Sequence, residues 1–77
     1  MPADPLYTKP SEFRGRACVY HRYSGAYVGT LHDWGNGYWQ VVDVVRPGGT
    51  LEQPQNAIYP SQDAAIAALW DTYRQER

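Results

Sequence analysis

Hydrophobic and polar positions alternate in three stretches of the chain and then change to a helical period near its end. Residues 16–23 (RACVYHRY), 26–33 (AYVGTLHD) and 38–46 (YWQVVDVVR) are rich in Val, Tyr and Trp and predict three strands. Ser24-Gly25 suits a two-residue turn between the first two, and Gly35-Asn36-Gly37 is the strongest turn signal in the chain. Pro47-Gly48-Gly49 ends the third strand, residues 50–56 form a polar loop, and Ala57-Ile58-Tyr59 predicts a short fourth. From Ser61 onward the period becomes helical. Ser61 is placed as N-cap and Asp63 complements the positive end of the helix dipole. Ala64, Ala65, Ala67 and Ala68 favour helix, Ile66, Leu69, Trp70 and Tyr73 form an apolar face, and Arg74 and Arg77 sit at the negative end. Pro2, Pro5 and Pro10 make residues 1–13 an extended arm pinned by Leu6, Tyr7 and Phe13. The expected fold is therefore α+β: an arm over 1–13, then one domain over 14–77. That domain is a three- to four-stranded antiparallel meander with a C-terminal helix packed on one face.

Pairing through the two turns assigns the faces. A Ser24-Gly25 turn sets Tyr20 opposite Gly29 and Cys18 opposite Leu31. An Asn36-Gly37 turn sets Leu31 opposite Val42, Thr30 opposite Asp43 and Gly29 opposite Val44. One face then holds Cys18, Tyr20, Gly29, Leu31, Val42 and Val44, with Arg16, Arg22, Asp33 and Arg46 around it. It is assigned to the helix, with Cys18 as a small buried hydrophobe. The other holds Val19, His21, Tyr23, Val28, Thr30, His32, Trp34, Trp39, Val41, Asp43 and Val45. Its polar centre, Thr30 and Asp43, is poor core material, and its aromatic rim marks a contact surface. A turn one residue earlier would exchange the faces of the third strand.

Composition sharpens the functional expectation. Seventy-seven residues make one domain with a thin stability margin, which favours burial against a partner protein or a second copy. Seven Tyr and three Trp are a heavy aromatic load, and both residue types are favoured at interfaces. The formal net charge of −1 gives little pull toward nucleic acid or an anionic membrane. Residues 13–32 nonetheless contain no acid but hold Arg14, Arg16, Arg22 and both histidines. A single cysteine excludes an internal disulfide and fits a reducing compartment. Residues 1–13 show neither a basic start nor an apolar run, so no signal peptide is expected, and the location expected is cytoplasmic.

Candidate chemistry is sparse. His21, His32, Thr30 and Asp43 share a face, a grouping that would suit a general base with a hydroxyl nucleophile, or zinc. Residues of matching parity share a face anyway, and no local ligand pair supports a metal, so no metal or cofactor is expected. Gly35-x-Gly37 precedes a strand rather than opening a helix, so it is no nucleotide fingerprint. The order Ser24-Gly25-Ala26, Gly29, Gly37-Tyr38, Pro47-Gly48 and Ile58-Tyr59-Pro60 spans about 45 residues and resembles small SH3-like barrels, in particular the plasmid-borne dihydrofolate reductases. That resemblance implies a small barrel, here with a C-terminal helix, and a Gln-Ile-Tyr run at the central pore of a tetramer. Here Asn56 and Ala57 separate Gln55 from Ile58-Tyr59, and the helix is longer, so the activity is not carried over. The first expectation is a non-enzymatic module that binds protein, such as a phage- or plasmid-encoded inhibitor or adaptor of a host system. Its contact residues are Tyr23, Thr30, His32, Trp34, Trp39 and Asp43, with Arg22 and Arg46 at the rim. The second is nucleic-acid binding by the same aromatic face. The third is a small enzyme.

Overall fold

The computed structural model describes residues 5–46, 48–54 and 58–74. It contains β1 (Leu6–Pro10), β2 (Arg16–His21), β3 (Tyr27–Asp33), β4 (Trp39–Val45), β5 (Leu51–Glu52), β6 (Ile58–Tyr59) and α1 (Gln62–Arg74). All pairings are antiparallel, in the order β1-β2-β3-β4-β5. The outer edge of β4 is shared between β5 at its end and β6 at its beginning. The sheet is open, so the barrel alternative does not form. The α+β class expected from the pattern is the class observed.

Three differences from the sequence expectation place the side chains. First, the N-terminal arm is a strand of the sheet. Leu6 pairs with His21 and Pro10 with Ala17, Leu6 is buried, and Pro10 sits at the end of an edge strand, where a missing donor is tolerated. Phe13 does not pin this segment, being 64% exposed.

Second, the β2–β3 loop holds four residues, Arg22 to Gly25, rather than two. His21 donates its amide to the Ala26 carbonyl (2.8 Å), and Gly25, at φ 74°, donates to the His21 carbonyl. Tyr20 therefore pairs with Tyr27, and after an irregularity Val19 pairs with Gly29 where Tyr20 was expected. This odd shift turns β2 over: Ala17 and Val19 go to the core, while Cys18 and Tyr20 go to the opposite face.

Third, the β3–β4 loop is closed by the Trp34 amide on the Tyr38 carbonyl, which leaves three residues, Gly35 to Gly37, in the turn. Asp33 pairs with Trp39 and Leu31 with Val41. A bulge between Thr30 and Leu31 then restores the expected Thr30–Asp43 and Gly29–Val44 pairs.

The helix covers the face formed by Leu6, Val19, Val28, Leu31, Val41 and Val44, onto which it lowers Ala65 and Leu69. Gly29 permits the close approach. A Cβ there would lie 2.9 Å from Leu69 Cδ1 and 2.4 Å from the Asp43 carbonyl oxygen. Ser61 caps the helix as expected, its Oγ accepting the Ala64 amide at 3.1 Å. The other end is held from the sheet, where Arg46 Nη1 donates to the Thr72 carbonyl (2.6 Å) while its Nε pairs with Glu52 (3.3 Å). Arg77 lies outside the described residues. No helix among the described residues is long and apolar enough to cross a membrane.

Candidate binding face

The sheet face away from α1 carries no covering element among the described residues, and strand register organises it. Tyr7 is paired with Tyr20, and Tyr20 with Tyr27, so three phenol rings cross three adjacent strands. Tyr7 and Tyr20 stack at 5.8 Å between centroids, and Tyr20 and Tyr27 meet tilted at 5.7 Å. Lys9, two residues along β1 on the same face, holds its ammonium 5.5 Å from the Tyr20 ring and 5.9 Å from that of Tyr7.

Tyr27 leads to the polar centre of the face. Its hydroxyl is hydrogen-bonded to Thr30 Oγ1 and donates to Asp43 Oδ1 at 3.3 Å. Burial raises the Tyr27 phenol above its ordinary pKa, and the nearby Asp43 carboxylate adds to the rise against the opposing hydrogen bond from Thr30. The phenol is therefore a proton donor at neutral pH. Tyr20, Tyr27, Thr30 and Asp43, with Cys18 beside them and the β1–β2 loop at Phe13 as a wall, surround a depression of about 450 Å³. Cys18 is thus half-buried on the open face and is not part of the core. The helix face was expected to contain it.

A second depression, about 490 Å³, adjoins the first, and Arg16 lines both. Here His32 and Trp34 meet edge to face at 4.5 Å, and Trp34 Nε1 donates to Gln40 Oε1 at 3.1 Å. His32 Nδ1 is buried without a hydrogen-bond partner among the described residues. Gly15, at φ 76°, backs the ring; a Cβ there would stand 3.3 Å from His32 Cε1.

Four of the eight residues expected at the contact surface therefore lie together on this face: Thr30, His32, Trp34 and Asp43. The other four lie elsewhere. Tyr23 is in the β2–β3 loop, 81% exposed and edge-on to His21. Trp39 packs against the core and pairs with Tyr59 of β6. Arg22 lies beside the start of β1, its amide on the Pro5 carbonyl and its Nη2 3.4 Å from the Leu6 carbonyl oxygen. Arg46 holds the helix terminus. The two histidines are separated as well. His21 points to the helix side, against Trp70 at 5.7 Å, and its Nδ1 accepts the amides of Tyr23 and Ser24 at 3.3 Å. A His21–His32–Asp43 cluster is consequently not assembled, and no group of potential metal ligands occurs among the described residues.

Tyr7, Lys9, Arg16, Tyr20, Tyr27 and Gln40 were missing from the expected surface, Arg16 having been assigned to the edge of the helix face. The alternation of Leu6 and Thr8 with Tyr7 and Lys9 signals a strand with an aromatic face, which the prolines around it obscure. No protein-family model matches the chain, and neither a curated protein nor a solved structure matches it.

Proposed function

We propose that this protein is a non-enzymatic binding module whose open sheet face receives a segment of a partner protein. One observation carries the reading: a Tyr7–Tyr20–Tyr27 ladder continues through Arg16 into the His32–Trp34 pair across one uncovered face. Tyr and Trp give large contact area at low entropic cost, and they dominate binding energy at protein interfaces. The charges around the face are mixed, with Lys9 and Arg16 against Glu12 and Asp43. Such a balance fits a protein surface better than a polyanion. Acting as an inhibitor or adaptor, in the cytoplasm, is the physiological role we attach to such a module.

A second reading is single-stranded nucleic acid, favoured by three phenol rings flanked by Lys9 and Arg16. Two experiments separate them. Selection from a random dodecapeptide display library should yield binders whose affinity falls about tenfold or more in Tyr20→Ser and Trp34→Ala proteins that remain folded. Fluorescence anisotropy with an oligo-dT probe should show no saturable binding. Tight oligo-dT binding with a steep loss on raising salt, and an empty peptide selection, would replace the first reading with the second.

A further inference from the structure

Resting on the protein-binding reading, we infer that the depression lined by Tyr20, Tyr27 and Asp43 is a receptor for the guanidinium of an arginine side chain on the partner protein. The floor of the depression supplies the charge. Asp43 is half-buried, and among the described residues it accepts one long hydrogen bond, from Tyr27, and forms no ion pair. A carboxylate has about four acceptor positions, so most of its capacity is unused. Its neighbour Arg16 lines the rim without reaching it.

The walls supply the second requirement. Tyr20 and Tyr27 meet at 56° with their centroids 5.7 Å apart, and both rings line the depression together with the carboxylate. That this ladder attracts cations is visible within the chain at Tyr20, over which, with Tyr7, the Lys9 ammonium stands. Lys9 and Tyr7 occupy one side of Tyr20, and Tyr27 and Asp43 lie on the other. A planar guanidinium both stacks on a phenol and forks onto a carboxylate, whereas an ammonium does only the first well.

The probes are the acetylated, amidated tripeptides Gly-Arg-Gly, Gly-citrulline-Gly and Gly-Glu-Gly, titrated into ¹⁵N-labelled full-length protein. The arginine peptide should give saturable shifts at Tyr27, Thr30 and Asp43. Citrulline, its neutral isostere, should bind about tenfold more weakly, and so should the arginine peptide to Asp43→Asn protein. Tyr20→Leu should weaken binding several-fold while leaving Asp43 in place, which keeps the inference testable if the Asp43 variant does not fold. Arg16→Gln should bind as tightly or more tightly, because a competing cation is removed. Equal shifts from the arginine and glutamate peptides, or unchanged binding to Asp43→Asn, would overturn the inference. Concentration-dependent dimerisation abolished by Asp43→Asn, without a response to the tripeptide, would assign the site to a second copy instead. Display selection that yields open-face binders without arginine would overturn this inference and leave the protein-binding reading standing. An empty selection would remove both.

Discussion

Replacing Gly29 with alanine should cost this fold a large part of its stability. An alanine Cβ would lie 2.4 Å from the Asp43 carbonyl oxygen and 2.9 Å from Leu69 Cδ1, about 1 Å and about 0.6 Å inside an ordinary contact of about 3.5 Å. Leu69 is fully buried and has little room to turn away, and the carbonyl belongs to the neighbouring strand. Relief therefore requires β3 and β4 to part where Gly29 pairs with Val44 and Thr30 with Asp43. Overpacking costs about 1–3 kcal/mol, and one loosened, poorly solvated backbone hydrogen bond adds about 1–3 kcal/mol. The reduced entropy of the unfolded chain returns about 0.4–1 kcal/mol. The net loss is about 1–5 kcal/mol, against roughly 4–12 kcal/mol in total for 77 residues. With a urea slope of about 1 kcal/mol/M, the midpoint should fall by about 1–5 M. Urea titration followed by Trp fluorescence measures it. Adding Leu69→Ala should not restore stability, since the carbonyl clash remains. A loss below about 0.5 kcal/mol would refute the packing of α1 onto Gly29.

Further outcomes follow from the same geometry. Trp39→Ala should destabilise the fold by about 2–4 kcal/mol, whereas Trp34→Ala, at a residue 54% exposed, should cost under about 1 kcal/mol; thermal melts compare them directly. Arg46→Met should cost about 1–3 kcal/mol and speed amide exchange in the last turn of α1, because the Thr72 carbonyl loses its donor. For Tyr27, the raised folded-state pKa means that its contribution is complete below the ordinary tyrosine value of about 10 and is lost as pH rises above it. Denaturation series from about pH 9 to about pH 11.5 should therefore show a shallower decline in Tyr27→Phe than in wild type, and parallel declines would contradict the environment assigned to this phenol.

The parts of the fold that were legible in the sequence are those set by local chemistry. The Ser61 cap, the alanine-rich body and the terminal Arg74 define α1 within a few residues. The Val- and Tyr-rich runs define β2, β3 and β4. Face assignment was harder, because it depends on loop length to the single residue. Ser24-Gly25 and Asn36-Gly37 read as two-residue turns, yet Arg22 to Gly25 and Gly35 to Gly37 form loops of four and three residues. The first difference, an even one, keeps the faces by itself; the irregularity between Val19 and Tyr20 adds the odd residue that turned β2 over and moved Cys18 and Tyr20 out of the core. The second was cancelled by the bulge at Thr30, which is why the Thr30–Asp43 pair was anticipated correctly while Trp39 was not. Two further features rest on long-range contacts that no local pattern announces: the addition of β1 to the sheet, and the reach of Arg46 across 26 residues to the helix terminus.

Chemical-shift mapping of a display-selected peptide on ¹⁵N-labelled protein tests the working face most directly. The largest changes should fall on Tyr20, Tyr27, Thr30, His32 and Asp43, which lie on three neighbouring strands and share the open side of the sheet. Changes concentrated instead on the exposed positions of α1, such as Ala67, Asp71 and Arg74, with those strand residues unmoved, would place binding on the helix side and contradict the account.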